Sequence, residues 1–149
     1  MNSKKDMETK GIQAVIIIEV IGKPPEHLTE TLNEIINKID AEKGINVTGK
    51  KVNDPVLMKN QKNFYTNFAE VEVEVDEILY FVKLLFKYMP ANVEIISPEL
   101  IALTNNGWNE VLNEITRRLH GYDEIARILQ VEKGILEKKL KEVLGKKEK

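Results

Sequence analysis

The sequence predicts an α+β domain over residues 11–104, followed by a single long helix over residues 105–145. Two patterns carry this. Apolar spacing switches between strand and helix periods in the order strand, helix, strand, strand, helix, strand. The last third then repeats in sevens: Leu112, Leu119, Ala126, Lys133 and Leu140 occupy one position, and Ile115, Tyr122, Leu129, Leu136 and Val143 the position three later. Nine of those ten sites are apolar or aromatic, which is the pattern of a coiled-coil seam.

The elements follow in order. Residues 1–10 are polar and charged and are expected to form a disordered arm, with no apolar run of the signal-peptide kind. Ile12 to Ile21 is β-branched and nearly continuous in apolar character, as in a central strand covered on both faces. Gly22-Lys23-Pro24-Pro25 ends it, and Pro25 suits a helix's first turn. Leu28, Leu32, Ile35, Ile36 and Ile39 recur at helical spacing until Gly44. Ile45 to Val52 returns to strand, with Gly49 placed for a bulge.

Asn53-Asp54-Pro55 breaks the chain, and Asn60-Gln61-Lys62-Asn63 reads as a turn. Phe64 to Val75 alternates cleanly, with Val71, Val73 and Val75 on one face and Glu70, Glu72 and Glu74 on the other. Phe68 falls on the glutamate face. Ile78, Phe81, Val82, Leu85 and Met89 form a second helical stripe. Leu79, Leu84 and Phe86 lie off it, so that helix is expected to be buried on two sides. Val93 to Ile96 is the last strand; Leu100 to Leu103 is expected to pair or to pack as a short turn. Asn105 or Asn106 is the expected cap of the long helix. Residues 146–149 are expected to form a disordered basic tail.

That order of elements is the duplicated split βαβ unit of the ferredoxin-like plait. Its strand–turn–helix opening resembles ACT-like regulatory domains, which bind small ligands at subunit interfaces. The resemblance covers residues 12–97 and rests on Gly22, Pro25 and Leu28; the acidic residue such domains carry after the first strand is missing, so no binding residues are carried over. Acylphosphatases share the plait and cradle phosphate at the same turn with a Gly-rich loop and an arginine. Here two prolines remove backbone donors, and no arginine precedes Arg117. Glu26 and His27 are therefore expected at the surface. The whole chain is similar to uncharacterised small proteins of prokaryotes, archaea in particular, which implies no activity.

Composition excludes several chemistries. The 149 residues include no cysteine and two histidines, His27 and His120, so thiolate catalysis and Cys- or His-rich metal centres are not expected. The longest apolar run, Ala14 to Ile18, is too short for a bilayer. Glu70, Glu72 and Glu74 lie on one strand face, where a hard cation is conceivable. A solvated face balanced by Lys50 and Lys51 is the preferred reading. No P-loop, dinucleotide fingerprint or nucleophile–base pairing is present.

Two readings of the tail compete. As a seam, Leu112, Ile115, Leu119, Tyr122, Leu129, Leu136, Leu140 and Val143 form an oligomer interface. Gly121 and Gly134 each cost such a helix about 1 kcal/mol, and Lys133 places a charge in the seam. Alternatively, Tyr122 to Val131 resembles the first half of a helix-turn-helix, with Ile125, Ile128 and Ile135 buried. A recognition helix from Lys133 to Leu144 then offers Lys138, Lys139 and Lys141 to phosphates. Residues 117–149 hold 10 Lys/Arg against 6 Asp/Glu, which fits either. Gln130 at the turn position and three glutamates on the recognition surface disfavour DNA.

The sequence thus predicts a cytoplasmic, non-enzymatic homo-oligomer acting in assembly or interaction. No cofactor, metal or membrane partner is expected. The alternative is a DNA-binding regulator with a plait sensor domain, and a small-molecule ligand at a plait interface is a further expectation.

Overall fold

The computed structural model describes residues 4–147 and divides the chain into two compact units, 1–111 and 112–149. The first is an α+β unit built on an antiparallel sheet. After a turn of 3-10 helix at Lys5–Met7 come β1 (Ile12–Gly22), α1 (Pro25–Asp40), β2 (Ile45–Val52), β3 (Val56–Leu57), β4 (Tyr65–Val75), α2 (Ile78–Tyr88) and β5 (Asn92–Ser97). A long helix, α3 (Asn105–Lys147), closes the chain.

Main-chain pairing gives the strand order β2-β4-β1-β5, with β3 paired to the start of β4. β1 and β4 are central and pair along their whole length, from Ile12 opposite Val75 to Gly22 opposite Tyr65. That explains why both read as long apolar or alternating runs. In β4 the period of two sends Ala69, Val71, Val73 and Val75 into the core while Phe68, Glu70 and Glu72 face out. Ala14, Ile16 and Ile18 of β1 join them, and Leu32, Ile36 and Ile39 of α1 with Phe81 and Leu84 of α2 pack on that same face. The register slips between Val47 and Gly49, so the bulge falls where the glycine suggests it.

Gly44 earns its place by geometry. Its φ is +75°, and a Cβ there would lie 2.3 Å from the Tyr80 ring. α1 itself ends earlier, at Asp40.

Several expectations are corrected. The arm is structured over its described part. Thr9 donates its amide to the Ala102 carbonyl and accepts from the Ala102 amide through its hydroxyl, at 2.9 and 2.7 Å. Lys10 is ion-paired with Glu77. Residues 1–3 and 148–149 of the expected arm and tail lie outside the described residues; Lys146 and Lys147, expected in a basic tail, lie within α3. Leu100 to Leu103 forms neither strand nor helix, though Ala102 bonds to Thr9. In α2 the buried residues are Phe81, Val82 and Leu84; Met89, expected on the stripe, is the exposed left-handed C-cap. β3 is an addition that the sequence did not announce.

The cap of α3 is Thr104, not Asn105 or Asn106. Its hydroxyl accepts from the Gly107 amide at 3.1 Å and donates to the Glu8 carboxylate at 2.6 Å. Glu8 also places a negative charge at the helix's positive end. With Gly107 and Val111 buried, the first turns of α3 belong to the α+β unit, and the boundary falls at 111/112 rather than 104/105.

Candidate association surface

The described residues of the unit 112–149 form one helix, the continuation of α3 to Lys147. A helix from Asn105 to Lys147 without a break has no turn at Gln130, so the helix-turn-helix expected as the alternative is absent from the described residues. Lys138, Lys139 and Lys141 lie on this same helix, exposed, and no separate recognition helix carries them. Ile125, Ile128 and Ile135, which that reading buried, are exposed.

The seam residues share one face because a period of 3.5 nearly matches the helical repeat. Leu112, Leu119, Tyr122, Leu129, Leu136, Leu140 and Val143 are all exposed, Leu119 at 56% and Leu136 at 66%; Ile115 is half-buried. Leu129, Leu136 and Leu140 line a shallow groove of about 320 Å³ rimmed by Glu132, Lys133 and Glu137. A second, shorter stripe of Ile128, Val131 and Ile135 is exposed beside the seam. Contiguous exposed apolar surface is uncommon on monomeric soluble proteins, whereas isolated exposed leucines are ordinary.

Charges decorate the helix in register with its repeat. Arg117 and Arg118 both bond Glu114, at 2.8 and 2.9 Å, and hold its carboxyl below the ordinary range, Arg118 most strongly. Asp123 pairs with Arg127 at 2.8 Å, and Lys133 approaches Glu137 at 3.8 Å. The one charged seam residue therefore leans toward an acid at the flank. Around Gly121 and Gly134 nothing lies within 4 Å of where a Cβ would sit, so neither glycine serves a close contact in the helix.

The remaining candidate residues disperse. Of the two lysines expected to balance the glutamates, Lys51 faces Glu70 across the ladder. Lys50 sits opposite Val71 and donates to Asn33 of α1 at 3.0 Å. Among the described residues no group of His, Asp and Glu is arranged to hold a metal. Glu26 and His27 are exposed in the first turn of α1, as expected, with His27 at 3.6 Å from Glu30.

Sequence reasoning missed Asn67. It follows Thr66 in a run that alternates toward the core, and it is fully buried. Its amide donates to the Thr29 hydroxyl at 3.3 Å, while its carbonyl oxygen accepts nothing among the described residues. The period of β4 places position 67 inward; only the residue type argues otherwise.

Comparison with known proteins places these observations in a lineage. The chain matches the MJ0538 family over residues 13–148. It belongs to that family. A curated relative, the uncharacterized protein MJ0538 of Methanocaldococcus jannaschii, is 30% identical over 94 residues, covering 63% of this chain. The match spans 35% of that relative's length, so the chain corresponds to about a third of it. No solved structure matches. The match to the MJ0538 family runs through β1 to β5 and nearly all of α3, so sheet and seam fall inside one family unit. No described helix is long and apolar enough to cross a membrane.

Proposed function

We propose that this MJ0538-family chain is a non-enzymatic assembly or interaction protein, and that α3 is the helix through which copies of it associate. One observation carries the reading: Leu112, Leu119, Leu129, Leu136, Leu140 and Val143 form an exposed apolar stripe along α3. Completing the burial of each half-exposed Leu or Ile stabilises by about 1 kcal/mol, so several such residues together exceed the cost of bringing two chains together. A second copy supplies a matching stripe by construction. The strand order β2-β4-β1-β5 with α1 and α2 on one face supports reading the α+β unit as a ferredoxin-like plait that serves as the assembled module.

The test is the solution mass of the full chain and of its Leu119→Asp and Leu136→Asp variants. Wild type is expected to sediment as an oligomer and both variants as monomers, with the protection of sheet amides from exchange unchanged. A monomeric wild type, or two variants that keep the wild-type mass, overturns the proposal.

A further inference from the structure

We infer that two copies of α3 pair antiparallel, with the twofold axis between Arg127 and Ile128. This rests on α3 being a self-association helix and specifies the geometry of that association. In this register Leu112 meets the partner's Val143, Ile115 the partner's Leu140, and Leu119 the partner's Leu136. Tyr122 meets the partner's Lys133, and Ala126 the partner's Leu129. Every seam position is used and neither end overhangs.

Three features select this arrangement over a parallel one. In a parallel pair, seam residues meet their own equivalents, which sets Lys133 against Lys133 in a desolvated layer. The antiparallel pair separates the two lysines, and each Lys133 ammonium reaches the rim, where Glu137 of its own helix already stands at 3.8 Å. Ala126 is the second feature. Against itself it leaves an underfilled layer, whereas against Leu129 a small residue meets a large one at both central layers. The third is the flank. A parallel pair brings Glu132 against Glu137; the antiparallel pair sets Glu132 beside Ile125 and Glu137 beside Thr116.

The antiparallel arrangement has one unfavourable flank contact, Arg118 beside the partner's Lys139. Arg118 is already bonded to Glu114 at 2.9 Å, and pairs at a solvated rim contribute little. The attraction it forgoes, Arg118 to Asp123, is weak for the same reason, since Asp123 holds Arg127 at 2.8 Å.

The chain has no cysteine, so engineered thiols report the geometry directly. In the full-length Leu119→Cys/Leu136→Cys variant, mild oxidation and peptide mapping are expected to give the intermolecular 119–136 disulfide and almost no 119–119 or 136–136. Because seam cysteines weaken packing, an exposed label is the second probe. Nitroxides on the Arg117→Cys variant are expected to lie about 30 Å apart along the axis, given a rise of about 1.5 Å per residue. Predominant 119–119 and 136–136 disulfides, or labels lying side by side, overturn the antiparallel geometry while leaving self-association standing. An oligomer that forms none of these disulfides overturns the register. A monomer by sedimentation overturns the underlying association reading instead.

Discussion

β4 and α3 make an instructive pair. Both carry apolar residues at a strict period, two in β4 and three to four in α3, with charged residues between them. Yet Val71, Val73 and Val75 are buried, whereas Leu119, Leu129 and Leu136 stand in solvent. A strand acquires its cover inside the chain, because ladder bonds to β1 and β2 fix its face under α1 and α2. A heptad helix satisfies its own backbone and brings no such neighbour with it. The same regularity therefore produces a core in one region and an exposed apolar face in the other.

One chemical change, applied to both regions, should have opposite consequences in them. Leu32→Ala, in the core, is expected to lower the unfolding free energy of the α+β unit by about 3 kcal/mol. Leu119→Ala is expected to leave it unchanged and to weaken association instead. Denaturation monitored in the sheet, run beside sedimentation at several concentrations, separates the two. Equal losses of sheet stability would mean that α3 is part of the core.

A smaller effect lies in the ion pairs that tie α1's end to α2. Glu42 bonds Lys87 and accepts the Tyr88 hydroxyl at 2.6 Å. Lys87 first, and then Tyr88, hold the Glu42 carboxyl below its ordinary value, while burial and then Glu42 itself push the Tyr88 phenol up. Lys10 does the same to Glu77. Carboxyls lowered in the folded state bind protons more readily once unfolded. Their contribution is thus complete at neutral pH and is lost as pH falls through the lowered folded values. Glu42→Gln is expected to cost about 1 kcal/mol at neutral pH and to flatten the acid limb of the stability profile. A profile unchanged by the substitution would contradict the assignment.

The smallest change expected runs the other way. Gly121→Ala with Gly134→Ala fills open space on α3, off the seam, and should stabilise the helix by about 1 kcal/mol per site. The melting temperature of the proposed oligomer should rise with no change of mass. A change of mass would place those positions in the interface.

The contrast also shows what was legible beforehand. The period of α1, the alternation of β4 and the helical spacing of α3 are local regularities, and each element forms where its period places it. The apolar face of α3 was readable for the same reason: a helix determines its own geometry from neighbouring residues, so the face shared by Leu112 and Val143 follows without knowledge of any contact. The helix-turn-helix alternative failed because its support was a string of residue types. The helical hydrogen bonds simply continue through Gln130.

Other features depend on residues far apart in the chain. Thr104, the cap of α3, is bonded by Glu8 from 96 positions away. Lys50 leaves the glutamates because the bulge at Gly49 sets which way it points. Asn67 is buried because β4 is central and α1 lies over it, and a polar residue in an inward register has no choice of face. The periods, the elements and their apolar faces arise from backbone geometry within a few residues, and so could be read from the chain. Strand order, the Glu8 bond to Thr104 and the burial of Asn67 come from long-range packing. Those are set by which distant surfaces meet, and a one-dimensional pattern carries no record of that meeting.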